Sequence, residues 1–184
     1  MRRASQQARC RFLEDLSGEE RALRACVAAP SGNALVADAV ADRRPGLVAA
    51  IVSIEPMGPP FGETPGVGSL DWGLTAAPIT YDPPRATANE VRAADPSSLR
   101  IPSLSRLPVA VVTGETSIFA TFSSAIVEFL YTAGADAEQL HLPDYGIFGN
   151  GHGLIYEKNS DQALEPILRW LAAHTSDAQR TSDP

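Results

Sequence analysis

Four short runs punctuate the chain as candidate strands: Ala25 to Ala29 (ACVAA), 47–56 (LVAAIVSIEP), 108–115 (PVAVVTGE) and 137–142 (AEQLHL). The first three have too little polar alternation for a half-exposed strand, which suits strands covered on both faces. Between them the apolar spacing lengthens to three and four, the period of a helix. Residues 8–24 place Phe12, Leu13, Leu16, Ala22 and Leu23 among charges, and 32–43 place Leu35, Val36, Ala39 and Val40 on one face. Residues 117–133 carry Phe122, Ile126, Phe129 and Leu130, with Gly134 set to end the helix. A last helix over 161–173 carries Leu164, Ile167, Leu168 and Leu171.

From Pro56 to Pro108 the periodicity is lost among prolines and glycines, as in EPMGPPFGETPGVG and YDPPRATA. The 56–107 stretch is therefore expected to be an excursion, a lid or pocket loop, kept ordered by Phe61, Trp72 and Tyr81. Strands alternating with helices predict an α/β fold with a parallel sheet covered on both faces. One domain over 1–174 followed by a loose polar tail over 175–184 is the expected organisation.

In such sheets chemistry gathers at the carboxyl ends of the strands. Ser31 follows the first strand, Glu55 ends the second, and His152 follows the last strand in a glycine-lined loop, GNGHG. A hydroxyl, a carboxylate and an imidazole at neighbouring strand ends are what nucleophilic acyl transfer needs. Each has a plainer reading. Ser31 could be the N-cap of the helix over 32–43, Glu55 a solvated strand-end carboxylate, and His152 a polar loop residue. Metal hydrolysis through His152, Asp144 and Glu157 has no recognised ligand spacing, so no metal is expected.

The segments AIVSIEPMGPPF, WGLTAAPITYDPP, VVTGETS and DYGIFGNGHGLIYEKNSDQALEPILRWL resemble the C-terminal half of an α/β-hydrolase over residues 25–173. They are most similar to the atypical bacterial and fungal esterase branch that takes its triad glutamate after strand six. That resemblance implies Ser31 as nucleophile (in AAPSGNA), Glu55 as acid (in SIEP) and His152 as base (in GNGH). It also implies Gly32 as an oxyanion donor and no cofactor. Most α/β-hydrolases carry the acid after strand seven. There this chain reads Gly114-Glu115-Thr116-Ser117, with Ser117 at the aspartate's place and Glu115 as reserve acid. The elbow around Ser31 departs from the family, with Pro30 before it and Asn33 two residues after it. About 24 residues precede the first strand, too few for the family's earlier strands, so the fold is expected to be incomplete.

Two functions follow. One is a serine hydrolase of esterase type acting on small carboxylic esters; the alternative is a truncated, non-catalytic remnant. Composition narrows the partners. A net charge of −7 offers no basic stripe for nucleic acid. No stretch is apolar enough to span a membrane. Cys10 and Cys26 are too few for a disulfide framework, and MRRASQQARCRFLEDL has no apolar core behind its charges. A cytoplasmic chain is the default expectation, with self-association possible through an open sheet edge.

Overall fold

In a computed structural model, the structure describes residues 25–30 as backbone, together with 42, 48–64 and 68–176. The helix expected over 8–24, the one expected over 32–43 apart from Asp42, and residues 177–184 of the tail lie outside the described residues.

Four strands form one parallel sheet: β1 (Ala25–Pro30), β2 (Val48–Ile54), β5 (Pro108–Thr113) and β6 (Asp136–His141), in the order β1-β2-β5-β6. The register runs Ile54 beside Val112 and Thr113 beside His141, so the strands end nearly level. The four runs are thus the four strands. In β2 and β5 the faces explain the absence of alternation. Ile51, Val109 and Val111 point to one side, Ala50, Val52, Ala110 and Val112 to the other, and both sides are buried.

On the second side lies the final helix α3 (Ser160–Ser176), which presses Ala163, Ile167 and Trp170 onto the sheet. It runs two residues into the stretch expected to be loose tail. On the first side lies α2 (Ser123–Ala133), which buries Ile126, Leu130 and Ala133. The helical pattern over 117–133 divides in two, a tight 3-10 turn over Ile118–Phe122 and then α2. Gly134 ends α2 in the left-handed region, at φ 107.

The excursion is ordered and has little regular structure. It holds a two-residue hairpin, β3 (Glu63–Thr64) with β4 (Gly68–Ser69), and a short helix, α1 (Ala88–Ala93). Its role is larger than that of a lid or pocket loop. Leu74, Ile79, Tyr81, Val91, Leu99 and Leu104 are buried in the same cluster as Ile51 and Leu130, so the excursion walls the sheet beside α2. Backbone contacts tie it down: Ile101 N–H donates to Ala133 O at 2.9 Å, and Arg106 N–H to Gly134 O at 2.8 Å.

Leu130 is 1% exposed whereas its neighbour Tyr131 is 72% exposed, so the two should respond oppositely to truncation. Leu130→Ala is expected to cost about 2–5 kcal/mol and Tyr131→Ser less than about 0.5 kcal/mol, read from urea unfolding midpoints. Equal losses would contradict the packing of α2 described above.

Candidate active site

The register sets the geometry of the site. Because β2, β5 and β6 end together, the residue after β2, the loop after β5 and the segment after β6 meet at one edge. Glu55 continues β2 by one more ladder bond, its N–H donating to Val112 O at 2.8 Å. The chain then turns sharply, with Glu55 itself at φ 52 in the left-handed region. For a residue with a side chain that conformation costs about 1–2 kcal/mol, and here it directs the carboxylate inward rather than into water.

That carboxylate is fully buried. Gly114 N–H donates to Oε1 at 2.5 Å, and Ser117 Oγ–H donates to Oε2. Burial pushes the Glu55 carboxyl above its ordinary 4.5, and the bonds from Ser117 and Gly114 oppose that rise. Glu157 adds to the rise, whereas the nearby His141 opposes it. His152 presents Nδ1 to Oε2 at 3.9 Å, an electrostatic approach longer than a hydrogen bond. The imidazole is partly exposed and lies against the Phe119 ring, with centroids 4.4 Å apart. With Nδ1 turned to the acid, Nε2 is at the opposite edge of the ring.

The His152 loop is held on both sides. Asn150 is fully buried, and its carbonyl accepts Thr116 N–H at 2.9 Å. Its side chain exchanges hydrogen bonds with Asn159 at 2.8 and 2.9 Å and donates to Glu157. Glu157 also accepts Gly151 N–H at 2.8 Å. Glu115, the reserve acid, accepts Gly149 N–H at 2.8 Å and so anchors the loop rather than the imidazole. Two glycines are required by this arrangement. A Cβ on Gly114 would collide with the Asn150 carbonyl, and Gly149 sits at φ 78.

The structure therefore brings Glu55 and His152 together, while Ser31 and Gly32 lie outside the described residues. Ser117 is the residue that sequence reasoning left without a role. Its only signal is its position where most α/β-hydrolases carry an aspartate. Of the anchors of Asn150, Glu157 was weighed only as a metal ligand and Asn159 gave no signal. Asp144 is exposed and Glu157 is committed to the loop. Among the described residues no group of three or more His, Cys, Asp or Glu could hold a metal ion. No described helix is long and apolar enough to cross a membrane.

No family model matches the chain. Two solved structures share its fold. A novel bacterial esterase superposes with a TM-score of 0.54 at 22% identity, over 84% of this chain and 40% of that one. One of two fungal esterases from Rhizomucor miehei superposes with a TM-score of 0.52 at 18% identity, over 86% of this chain and 54% of that one. A probable secreted lipase, phiG, of a fungus (Fungal sp., strain ATCC 74256) is 35% identical over 151 residues, 72% of this chain. The chain shares with those two esterases the α/β-hydrolase fold. It spans 41% of the lipase's length, so the described sheet is part of the α/β-hydrolase fold.

Two consequences can be measured on this chain. Ser117→Ala removes one of the donors to a buried carboxylate and should destabilise by about 1–3 kcal/mol in urea unfolding; an unchanged midpoint would contradict the Ser117–Glu55 contact. The second follows from the raised Glu55 pKa. The native state holds this proton more tightly than the unfolded chain does. Wild-type stability relative to Glu55→Gln should thus be greatest below pH 4.5 and decline as pH rises through the higher native value. A difference that stays flat across a pH series of urea melts would contradict the burial argument.

Proposed function

We propose that this chain carries the acid–base half of an esterase-type serine hydrolase site, with Ser31 as its nucleophile. The observation that carries the reading is the buried Glu55 carboxylate facing His152 Nδ1. A carboxylate held there selects the tautomer with the proton on Nδ1 and leaves Nε2 to accept one. In the reaction, Ser31 Oγ attacks the ester carbonyl carbon as His152 Nε2 takes its proton. The tetrahedral oxyanion then collapses, the C–O bond to the alcohol breaks, and His152 returns the proton to the leaving alcohol. Water repeats the sequence on the acyl-serine and frees the acid. Glu55 stays ionised throughout and stabilises the imidazolium.

The Gly32 amide supplies an oxyanion hydrogen bond in this scheme. Residues 56–62 leave Glu55 and pack Gly58 beside Phe122 and Ile126, which suits one wall of the ester pocket. Similarity to a probable secreted lipase and to esterases supports carboxylic esters as the substrate class. Neither a metal nor an organic cofactor takes part in these steps.

Labelling with a fluorophosphonate probe, located by mass spectrometry, tests the assignment. Modification at Ser31 is expected, absent in Ser31→Ala and lost in His152→Ala. With an ester substrate, Glu55→Gln should lower kcat by about 10²–10⁴, since it disturbs the tautomer while keeping the shape. A folded chain that takes no label would overturn the reading in favour of a non-catalytic protein.

A further inference from the structure

The segment over 114–119, just after β5, touches both the acid and the base without contributing to the proposed triad. Gly114 N–H and Ser117 Oγ–H hold the Glu55 carboxylate. Glu115 accepts Gly149 N–H, and Thr116 N–H donates to Asn150 O, so the loop leading to His152 is held as well. Phe119 reaches the imidazole itself. Its ring and that of His152 have centroids 4.4 Å apart and planes 56° apart. The 3-10 turn that carries Phe119 is capped by Ser117, whose Oγ accepts Phe119 N–H at 3.1 Å. A hydroxyl that accepts this amide directs its own proton to Glu55 Oε2, the oxygen facing His152 Nδ1. One short turn therefore carries the donor to the acid and the ring against the base.

The imidazole needs a hold of this kind. Hydrogen bonds fix the loop backbone as far as Gly151, whose N–H donates to Glu157, but they do not fix a side-chain torsion. The outer torsion of histidine is broad and roughly two-fold. Half a turn about it would put a ring carbon where Nδ1 faces Glu55 and carry Nε2 away from the opposite edge. Gly151 and Gly153, on either side of His152, bring no side chain against the ring. The Nδ1–Oε2 approach of 3.9 Å is too long to lock the ring as a hydrogen bond would. A flat neighbour can do so, because a turning imidazole must push against it. The two apolar residues of the turn differ in this respect: Ile118 is 73% exposed, whereas Phe119 is partly buried.

We propose that Phe119 is a positioning residue for His152. Its ring keeps Nδ1 toward Glu55, which selects the tautomer protonated on Nδ1 and leaves Nε2 to accept the serine proton. The inference rests on the reading of His152 as the base, and it assigns a role to a side chain outside the triad.

Proton–nitrogen correlation spectra of the imidazoles in the isotope-labelled full chain test this without turnover. The chain has three histidines, and His152→Ala identifies the signals of this one. At alkaline pH, where imidazoles are neutral, wild type should show His152 with its proton on Nδ1. Phe119→Leu keeps apolar bulk but loses the flat face, and should give a mixture of both tautomers. Phe119→Tyr and Ile118→Ala should keep the wild-type signals; a merely structural role for Phe119 would shift a urea midpoint and leave the tautomer unchanged. With an ester substrate, Phe119→Leu should lower kcat about tenfold and leave KM within about twofold. An unchanged tautomer in Phe119→Leu, an equal mixture in Phe119→Tyr, or a wild type without the Nδ1 proton would each overturn the proposal. The spectra do not involve Ser31, so a chain that takes no fluorophosphonate label would sink the hydrolase reading while the tautomer comparison still decides this one. If Phe119→Leu does not fold, Phe119→Met takes its place.

Discussion

The buried carboxylate of Glu55 is the constraint around which one end of the molecule is arranged. A carboxylate fully removed from water is tolerable only when fixed dipoles replace the water it gave up. Here the loop after β5 supplies them, an amide from Gly114 and a hydroxyl from Ser117. The same loop takes hold of the next segment, since Thr116 donates to Asn150 and Glu115 accepts from Gly149. The acid thus fixes the β5 exit, and the β5 exit fixes the loop that carries His152. Most of these contacts end on backbone amides or carbonyls, which suits a site that needs narrow geometry.

The support for that edge is the double-faced sheet. The strands' odd and even residues feed two separate apolar layers, one closed by α3 and the other by α2 with the excursion. A stretch rich in proline and glycine thereby does the work of a second covering helix. Its backbone is held by bonds to the end of α2 and its side chains by the sheet. Among the described residues β1 pairs only with β2, so it is one edge of this sheet as β6 is the other.

Much of this was legible in the sequence because it is local. The apolar runs at 25–29, 47–54 and 108–113 have no alternation, and all three are strands, with β2 and β5 buried on both faces. Glu55 and His152 stood out because a carboxylate closing an apolar strand and an imidazole among glycines are both poor choices for plain structure. What was not legible depends on long-range pairing. Ser117 meets Glu55 across 62 residues, and nothing in TGETS announces a donor aimed at another strand's end. Periodicity cannot describe the excursion, whose burial comes from scattered residues such as Tyr81, Val91 and Leu99. The division of 117–133 into a 3-10 turn and a helix was equally hidden, because the apolar spacing serves both.

The left-handed backbone at Glu55 bears on how this position changes over evolutionary time. Glycine, asparagine and aspartate suit such a backbone better than glutamate does. Aspartate, one methylene shorter, would draw its carboxylate back from Gly114 and Ser117 and from the imidazole beyond them. Reach and backbone preference therefore pull in opposite directions at this position. Glycine would relax the chain and remove the buried charge, but it would also strand the Gly114 amide and the Ser117 hydroxyl, so the backbone strain at this position is tied to the two donors that the carboxylate satisfies.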